Sequence, residues 1–231
     1  MEKSNQQLRT SITIGSNVIY LLLTIIIWNL AANYPFSIFS GTKSFFFLAS
    51  EICWALGTLT LLKRWDVRLT LTFNLLPLGF IALGHFPLLI FTATLFYGVV
   101  NILLRVPRVG INHSYGLLCF SLTNAVIPVA TLNFLTSQYL ERSTLLNIGI
   151  LFTLYVLFFA LRFTKELATQ FNVLFIFLFA GLLLANFPVV KDAGLIAIVL
   201  VSYGAQIFTR NERFRYCFIT FALVALLAFF H

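Results

Sequence analysis

Long apolar runs, broken by proline, glycine and small clusters of charge, fill the chain from Ile12 onward. The breaks delimit helices at 12–32, 45–62, 69–84, 88–104, 115–135, 145–161, 171–187, 193–208 and 216–230. Several are short: at about 1.5 Å per residue, 17 residues span only about 26 Å, the low end for a bilayer crossing. The pattern predicts an all-α, polytopic integral membrane bundle of about nine transmembrane helices. It forms a single transmembrane domain over 1–231. The first run, Ile12–Leu30, is longer than the apolar core of a signal peptide and lacks a small-x-small cleavage site. It is therefore read as a membrane helix.

Composition agrees with the pattern. Of 231 residues, 60% are hydrophobic and 10% charged, and the mean hydropathy is +0.98. A soluble domain carries about a quarter charged residues, so this chain could not cover a water-facing surface. The 27 phenylalanines are read as compositional bias. Cys53, Cys119 and Cys217 lie in separate runs without a C-x-x-C pair, which points to buried free thiols rather than a redox pair or a metal site.

Charge then fixes an orientation. With alternate connections on one side, Lys3, Arg9, Lys63, Arg64, Arg68, Arg105, Arg108, Arg162, Lys165, Arg210, Arg213 and Arg215 share that side. Lys43, Arg142 and Lys191 fall on the other. The positive-inside rule puts the N-terminus inside and the C-terminus outside. Trp65, Tyr115 and Tyr216 at the inner ends, with Tyr34 and Tyr139 at the outer ends, suit interfacial anchors. The net charge of +8 is thereby assigned to basic loops facing anionic lipid headgroups, with no nucleic-acid partner implied. The expected location is the plasma or inner membrane.

Nine helices with an inner N-terminus is also the topology of intramembrane prenyltransferases of the UbiA type, which the chain resembles in that respect. That family carries aspartate-rich diphosphate–magnesium motifs on the loops after helices two and six. Here those loops read "KRWDVR" and "RFTKELATQ", with one acid each, Asp66 and Glu166. The resemblance implies a fold-level analogy and no activity.

The outer turns "AANYPF", "LGHFPL" and "LANFPV" share a polar residue, an aromatic and a proline. Duplicated hairpins would produce such a repeat. So would the routine use of proline to stop a helix.

Candidate chemistry centres on Glu51, which interrupts the otherwise apolar "SFFFLASEICWALGTLTLL". A carboxyl inside a membrane helix is costly and ordinarily faces the bundle interior. Ser44, Glu51 and Thr58 recur every seven residues and make a narrow polar stripe, with Trp54 on the same side. Glu51 would lie about 9 Å below the outer boundary. His85, Lys191, Asp192 and His231 occupy that same outer side, as do Lys43, Asn29, Asn33, Asn147 and Asn186. Together they predict an outward-opening polar cavity. The rival reading has Glu51 protonated, or paired with Lys43 or Lys191, as interhelical glue.

A second set, Asn74, Asn101, Gln206 and Asn124, lies deeper or toward the inner side, near helix-kinking Pro77 and Pro128. Motifs for membrane metalloproteases, serine hydrolases and haem ligation are missing, and no cofactor or metal is implied.

Three functions follow. The first is a small transporter or permease subunit for a polar or amphiphilic solute, with Glu51, Ser44, Trp54, Thr58, His85, Lys191 and Asp192 as substrate- or proton-binding candidates. The second is an enzyme acting on a lipid-linked substrate near the outer leaflet, with His85 or His231 partnering Glu51. The third is a non-catalytic integral subunit packed against partner membrane chains.

Overall fold

The structure, a computed structural model, describes residues 2–34, 41–164, 169–186, 188–209 and 213–230, the side chains of 2–14, 169–171 and 189–190 excepted. His231, Pro35 and Phe36 of the first turn, Phe187 of the third, and Lys165, Glu166 and Arg210 lie outside the described residues. Among those described are nine helices: α1 (Glu2–Ala31), α2 (Thr42–Leu62), α3 (Val67–Leu83), α4 (Leu88–Leu103), α5 (Ser114–Ser137), α6 (Arg142–Phe163), α7 (Thr169–Asn186), α8 (Val189–Thr209) and α9 (Phe214–Phe229).

Four stretches are long and apolar enough to cross a membrane: Thr42–Leu62, Ser114–Ser137, Arg142–Phe163 and Lys191–Thr209. Five shorter apolar stretches accompany them: Gly15–Ala31, Val67–Leu83, Leu88–Leu103, Asn172–Asn186 and Phe214–Phe229. This is the build of a multi-pass integral membrane bundle. Its outer surface agrees, since Leu88, Phe177, Val201 and Phe208 are each more than 70% exposed. Apolar exposure on that scale suits hydrocarbon rather than water.

Cys119 is exposed on this surface rather than buried as Cys53 and Cys217 are. The two largest departures from the predicted helix boundaries, at the starts of α1 and α8, have a physical reason. Helix α1 starts at Glu2, ten residues before the predicted 12, because hydropathy locates the part of a helix that can enter lipid, not where its hydrogen bonding begins. Helix α8 starts at Val189, so Asp192 falls in its first turn rather than ahead of it. An acid is favourable there, against the positive end of the helix dipole.

Helix α6 is the hub. It packs on α5, α7 and α9, with further contacts to α1 and α8. Its residues from Thr153 to Ala160 are all buried. The aromatic centre lies where α5, α6 and α9 meet: Tyr155 stacks on Phe221 with centroids 4.5 Å apart, and Phe120 approaches Tyr155 edge-on at 5.7 Å. Each such pair adds about 0.5–1.5 kcal/mol beyond area burial. The pairs α2–α3 and α3–α4 make the other half of the bundle, and α1 closes it against α2, α5 and α9.

The ends of the bundle differ in chemistry. Lys63, Arg162, Arg213 and Arg215 gather at one end. At the opposite end asparagines finish helix termini. The last carbonyls of a helix have no intrahelical donor, and the Asn147 amide donates to Ala31 O at 3.0 Å while that of Asn133 donates to Ala32 O at 3.3 Å. Asn186 in turn donates to Asn147 Oδ1 at 2.9 Å, joining α7 to this cap.

The repeated turn motif has a local cause in its described members. Asn33 and His85 both adopt left-handed backbone, with φ of 53° and 51°. In each case the next amide reaches back five residues: Tyr34 N–H to Asn29 O at 2.9 Å and Phe86 N–H to Ile81 O at 3.3 Å. Arg64 repeats the geometry with φ of 56° and a Trp65 N–H to Thr60 O bond at 2.9 Å. This pattern is the Schellman helix end, in which the aromatic after the left-handed residue folds back on the helix. The recurrence of polar residue then aromatic therefore follows from helix termination, with no duplication required.

Candidate functional site

Glu51 sits nine residues into α2, about 14 Å along its axis, and is 4% exposed. Its described hydrogen-bond partner is the amide of Asn29 on α1, which also donates to Ile25 O at 2.8 Å. The two donors of one amide thus tie Glu51 to the α1 backbone. Tyr34 stands beside this pair, and burial together with the Glu51 carboxylate pushes its phenol pKa upward.

One heptad further along α2 a larger buried cluster begins. Thr58 Oγ1 lies 2.8 Å from Tyr97 Oη and donates to Asn124 Oδ1 at 2.6 Å. The Tyr97 hydroxyl also lies 2.9 Å from Asn124 Oδ1 and 3.0 Å from the Trp54 carbonyl oxygen, and shares its one proton between them. Asn124 Nδ2 donates to Asn101 Oδ1 at 3.2 Å, and Asn101 Nδ2 to Asn74 Oδ1 at 3.1 Å. Asn74 ends the ladder on Thr70 O at 2.8 Å, one turn from Asp66, which caps α3. Every member from Thr58 to Asn74 is at most 1% exposed. The ladder links α2, α3, α4 and α5.

Two glycines let the helices come this close. A Cβ on Gly98 of α4 would stand 2.5 Å from the Asn74 carbonyl oxygen, and one on Gly57 of α2 would stand 2.8 Å from Asn74 Oδ1. Small residues at helix contacts serve this purpose in membranes, where close packing and interhelical hydrogen bonds supply the attraction. Pro77 and Pro128 lie within α3 and α5. Each lacks the N–H that would serve the carbonyl four residues earlier, Phe73 and Asn124 respectively.

No match for this chain is found among family models, curated proteins or solved structures.

The expected site residues fall into two groups. Glu51, Trp54 and Thr58 are buried together on the inward face of α2, with Ser44 half-buried at its start. The other three lie apart from them in role. His85 is exposed at the left-handed position that ends α3. Lys191 donates to Ala228 O at 3.1 Å and Phe230 O at 3.4 Å, at the end of α9. Asp192 is buried in the first turn of α8, and among the described residues neither carboxyl oxygen has a hydrogen-bond partner. Lys43 is exposed, so the glue that holds Glu51 is an amide rather than an ammonium. Glu51 lines neither the cavity of about 610 Å³ at the basic end nor the apolar one of about 230 Å³ between α4 and α5.

Of the second polar set, Asn74, Asn101 and Asn124 meet in this ladder, whereas Gln206 donates elsewhere, to Phe158 O at 3.0 Å and Cys217 Sγ at 3.2 Å. Sequence reasoning missed Tyr97. The available signal was a phenol in mid-helix, since a buried tyrosine hydroxyl needs a partner. It also missed Asn133, whose Oδ1 accepts from Glu141 N–H at 3.1 Å while its amide caps α1.

Proposed function

We propose that the chain is a small multi-pass membrane transporter, or the permease subunit of one, for a polar or amphiphilic solute. In this reading all nine helices cross the bilayer, with the N-terminus inside and the C-terminus outside. The gathering of Lys63, Arg162, Arg213 and Arg215 at one end supports that orientation through the positive-inside rule.

The observation that carries the proposal is the course of the buried polar side chains. They begin with Asn29–Glu51 toward the outer end, continue through Thr58, Tyr97 and Asn124, and reach Asn101 and Asn74 toward the inner end. No described hydrogen bond spans the seven-residue step from Glu51 to Thr58, about 10 Å; the Trp54 carbonyl meets Thr58 and Tyr97 on its far side. A bundle that needed only stability would not place a carboxyl at the head of such a line, given the cost of an ionisable group in hydrocarbon. Glu51 is the cation- or proton-binding group, Asn29 orients it, and Ser44, Trp54 and Thr58 flank the path. Asp192, Lys191 and His85 belong to the outer approach. Among the described residues no histidine is hydrogen-bonded to Glu51, so the enzyme reading gains no support.

The test is uptake into reconstituted vesicles of a defined panel: choline, lysine, glutamate, glycine and glucose. At least one solute is expected to enter faster than into protein-free vesicles, with Glu51→Gln abolishing the excess. The proposal fails if no solute exceeds the protein-free rate, or if Glu51→Gln leaves uptake and its pH dependence unchanged.

A further inference from the structure

Glu51 stands beside an aromatic wall that the polar ladder does not account for. On α2 the Phe47 and Trp54 side chains are seven residues apart, about 10 Å along the axis, yet their ring centroids approach to 6.1 Å, edge to face. Glu51 projects from the turn between them, about 40° round the helix from Phe47 and about 60° from Trp54. The wall continues in both directions. Phe86, half-buried in the turn after α3, lies 5.7 Å from Phe47, and Tyr97 of α4 lies 5.7 Å from Trp54. These rings lead from the α3–α4 turn past the carboxyl to the start of the ladder.

The carboxyl itself meets no positive charge. Its described hydrogen bond comes from Asn29, a neutral amide. Among the described residues no ammonium, guanidinium or imidazole acts on it. Residues 35–40, between α1 and α2, contain no lysine, arginine or histidine, and Arg9 is about 30 Å from Asn29 along α1. A carboxylate in hydrocarbon is costly without a counter-ion. The Trp54 indole N–H is also buried without an acceptor among the described residues, so the groups on this face do not satisfy one another.

The wall decides which cation fits. A hard metal ion requires several oxygen ligands, and aromatic rings supply none. A primary ammonium brings three N–H donors that need acceptors. A quaternary ammonium has no N–H to leave unpaired, and the negative faces of aromatic rings attract it.

We propose that this site binds a quaternary ammonium group, with Glu51 as its counter-ion and Phe47 and Trp54 as its aromatic walls. The inference rests on the reading of Glu51 as open to solute, and it names the class of solute. The group belongs either to a free molecule of the choline type or to a choline lipid headgroup.

The experiment is equilibrium binding of radiolabelled choline, and separately of labelled dihexanoyl phosphatidylcholine, to the purified protein in maltoside detergent. Tetramethylammonium, ethanolamine and neohexyl alcohol compete. The last copies choline with carbon in place of the charged nitrogen, so it reads the charge without altering the fold. Saturable binding of choline, displaced by tetramethylammonium and about tenfold or more weakly by ethanolamine and neohexyl alcohol, supports a free solute. Binding of the phosphatidylcholine but not of choline, with dihexanoyl phosphatidylethanolamine a poor competitor, supports a headgroup. In either case Glu51→Gln should weaken binding about thirtyfold or more, and Trp54→Leu should weaken it more than Trp54→Phe, which keeps a ring. The inference is overturned if neither labelled ligand binds saturably, if neohexyl alcohol or ethanolamine matches choline, or if Glu51→Gln binds as the wild type does. The uptake panel separates this outcome from that of the transport reading. Choline binding without uptake of any solute upholds the site and defeats transport. Glu51-dependent uptake of another solute, with neither labelled ligand bound, defeats the site and leaves transport standing.

Discussion

Substituting Gly98 by alanine tests the packing that brings the polar ladder together. The added Cβ would lie 2.5 Å from the Asn74 carbonyl oxygen, whereas ordinary contact begins at 3.4 Å, so α3 and α4 must part by the difference, about 0.9 Å. The obstacle is backbone, which cannot swing aside as a side chain would. A gap of this size forfeits a quarter to a half of the dispersion attraction across the contact. It also stretches the Asn101–Asn74 bond from 3.1 Å to about 4 Å, beyond hydrogen-bond length. Overpacking costs about 1–3 kcal/mol and the lost bond about 0.6 kcal/mol. Against these stands the helix preference for alanine over glycine, about 1 kcal/mol. The net expectation is destabilisation by about 0.6–2.6 kcal/mol. Gly181 of α7, where a Cβ would meet nothing within 4 Å, is the matched control, and Gly181→Ala should be neutral or stabilising. Unfolding in mixed micelles with rising dodecyl sulfate, followed by circular dichroism, measures both. Equal stability of the two variants would refute the argument that Asn74 is held by close backbone approach.

Asn124→Leu removes three interhelical bonds, from Thr58, from Tyr97 and to Asn101. At about 0.6 kcal/mol each it should cost about 2 kcal/mol in the same titration, and combining it with Tyr97→Phe should cost less than the sum of the two singles. Asn147→Ala uncaps Ala31 and releases Asn186, with an expected loss of about 1 kcal/mol in the same assay. For orientation, single cysteines at His113 and Tyr139 in a background lacking Cys53, Cys119 and Cys217 should react differently with a membrane-impermeant thiol reagent. Position 139 should label in intact cells and position 113 only after permeabilisation, and the reverse order would invert the topology.

Much of the helical layout was legible in the sequence because proline, glycine and charge punctuate it. "KRWD" ends α2 and caps α3 through Asp66, and "GHFP" separates α3 from α4. The inward aim of Glu51 and Thr58 could be read from their seven-residue spacing together with the cost of a carboxyl in hydrocarbon. The meeting of Asn74, Asn101 and Asn124 was legible only as a shared depth, since which helices adjoin is a property of packing. Gln206 shows the limit, having similar depth but facing α6 and α9 instead. His85 takes the left-handed position that ends α3, a placement set by turn chemistry that the residue type alone does not announce. The basic cavity was illegible for a different reason. Its cations come from connections about a hundred and fifty residues apart, and in one dimension each looks like an ordinary positive-inside loop.

The central claim is that Glu51 heads a path open to aqueous solute rather than a sealed contact. Cysteine reactivity measures this most directly. In vesicles containing the protein with its three native cysteines replaced, Glu51→Cys should react with a small cationic methanethiosulfonate. Leu59→Cys, fully buried on the same helix, should not. If the thiol at position 51 is as inert as the one at 59, the carboxyl is structural and the transport reading is wrong.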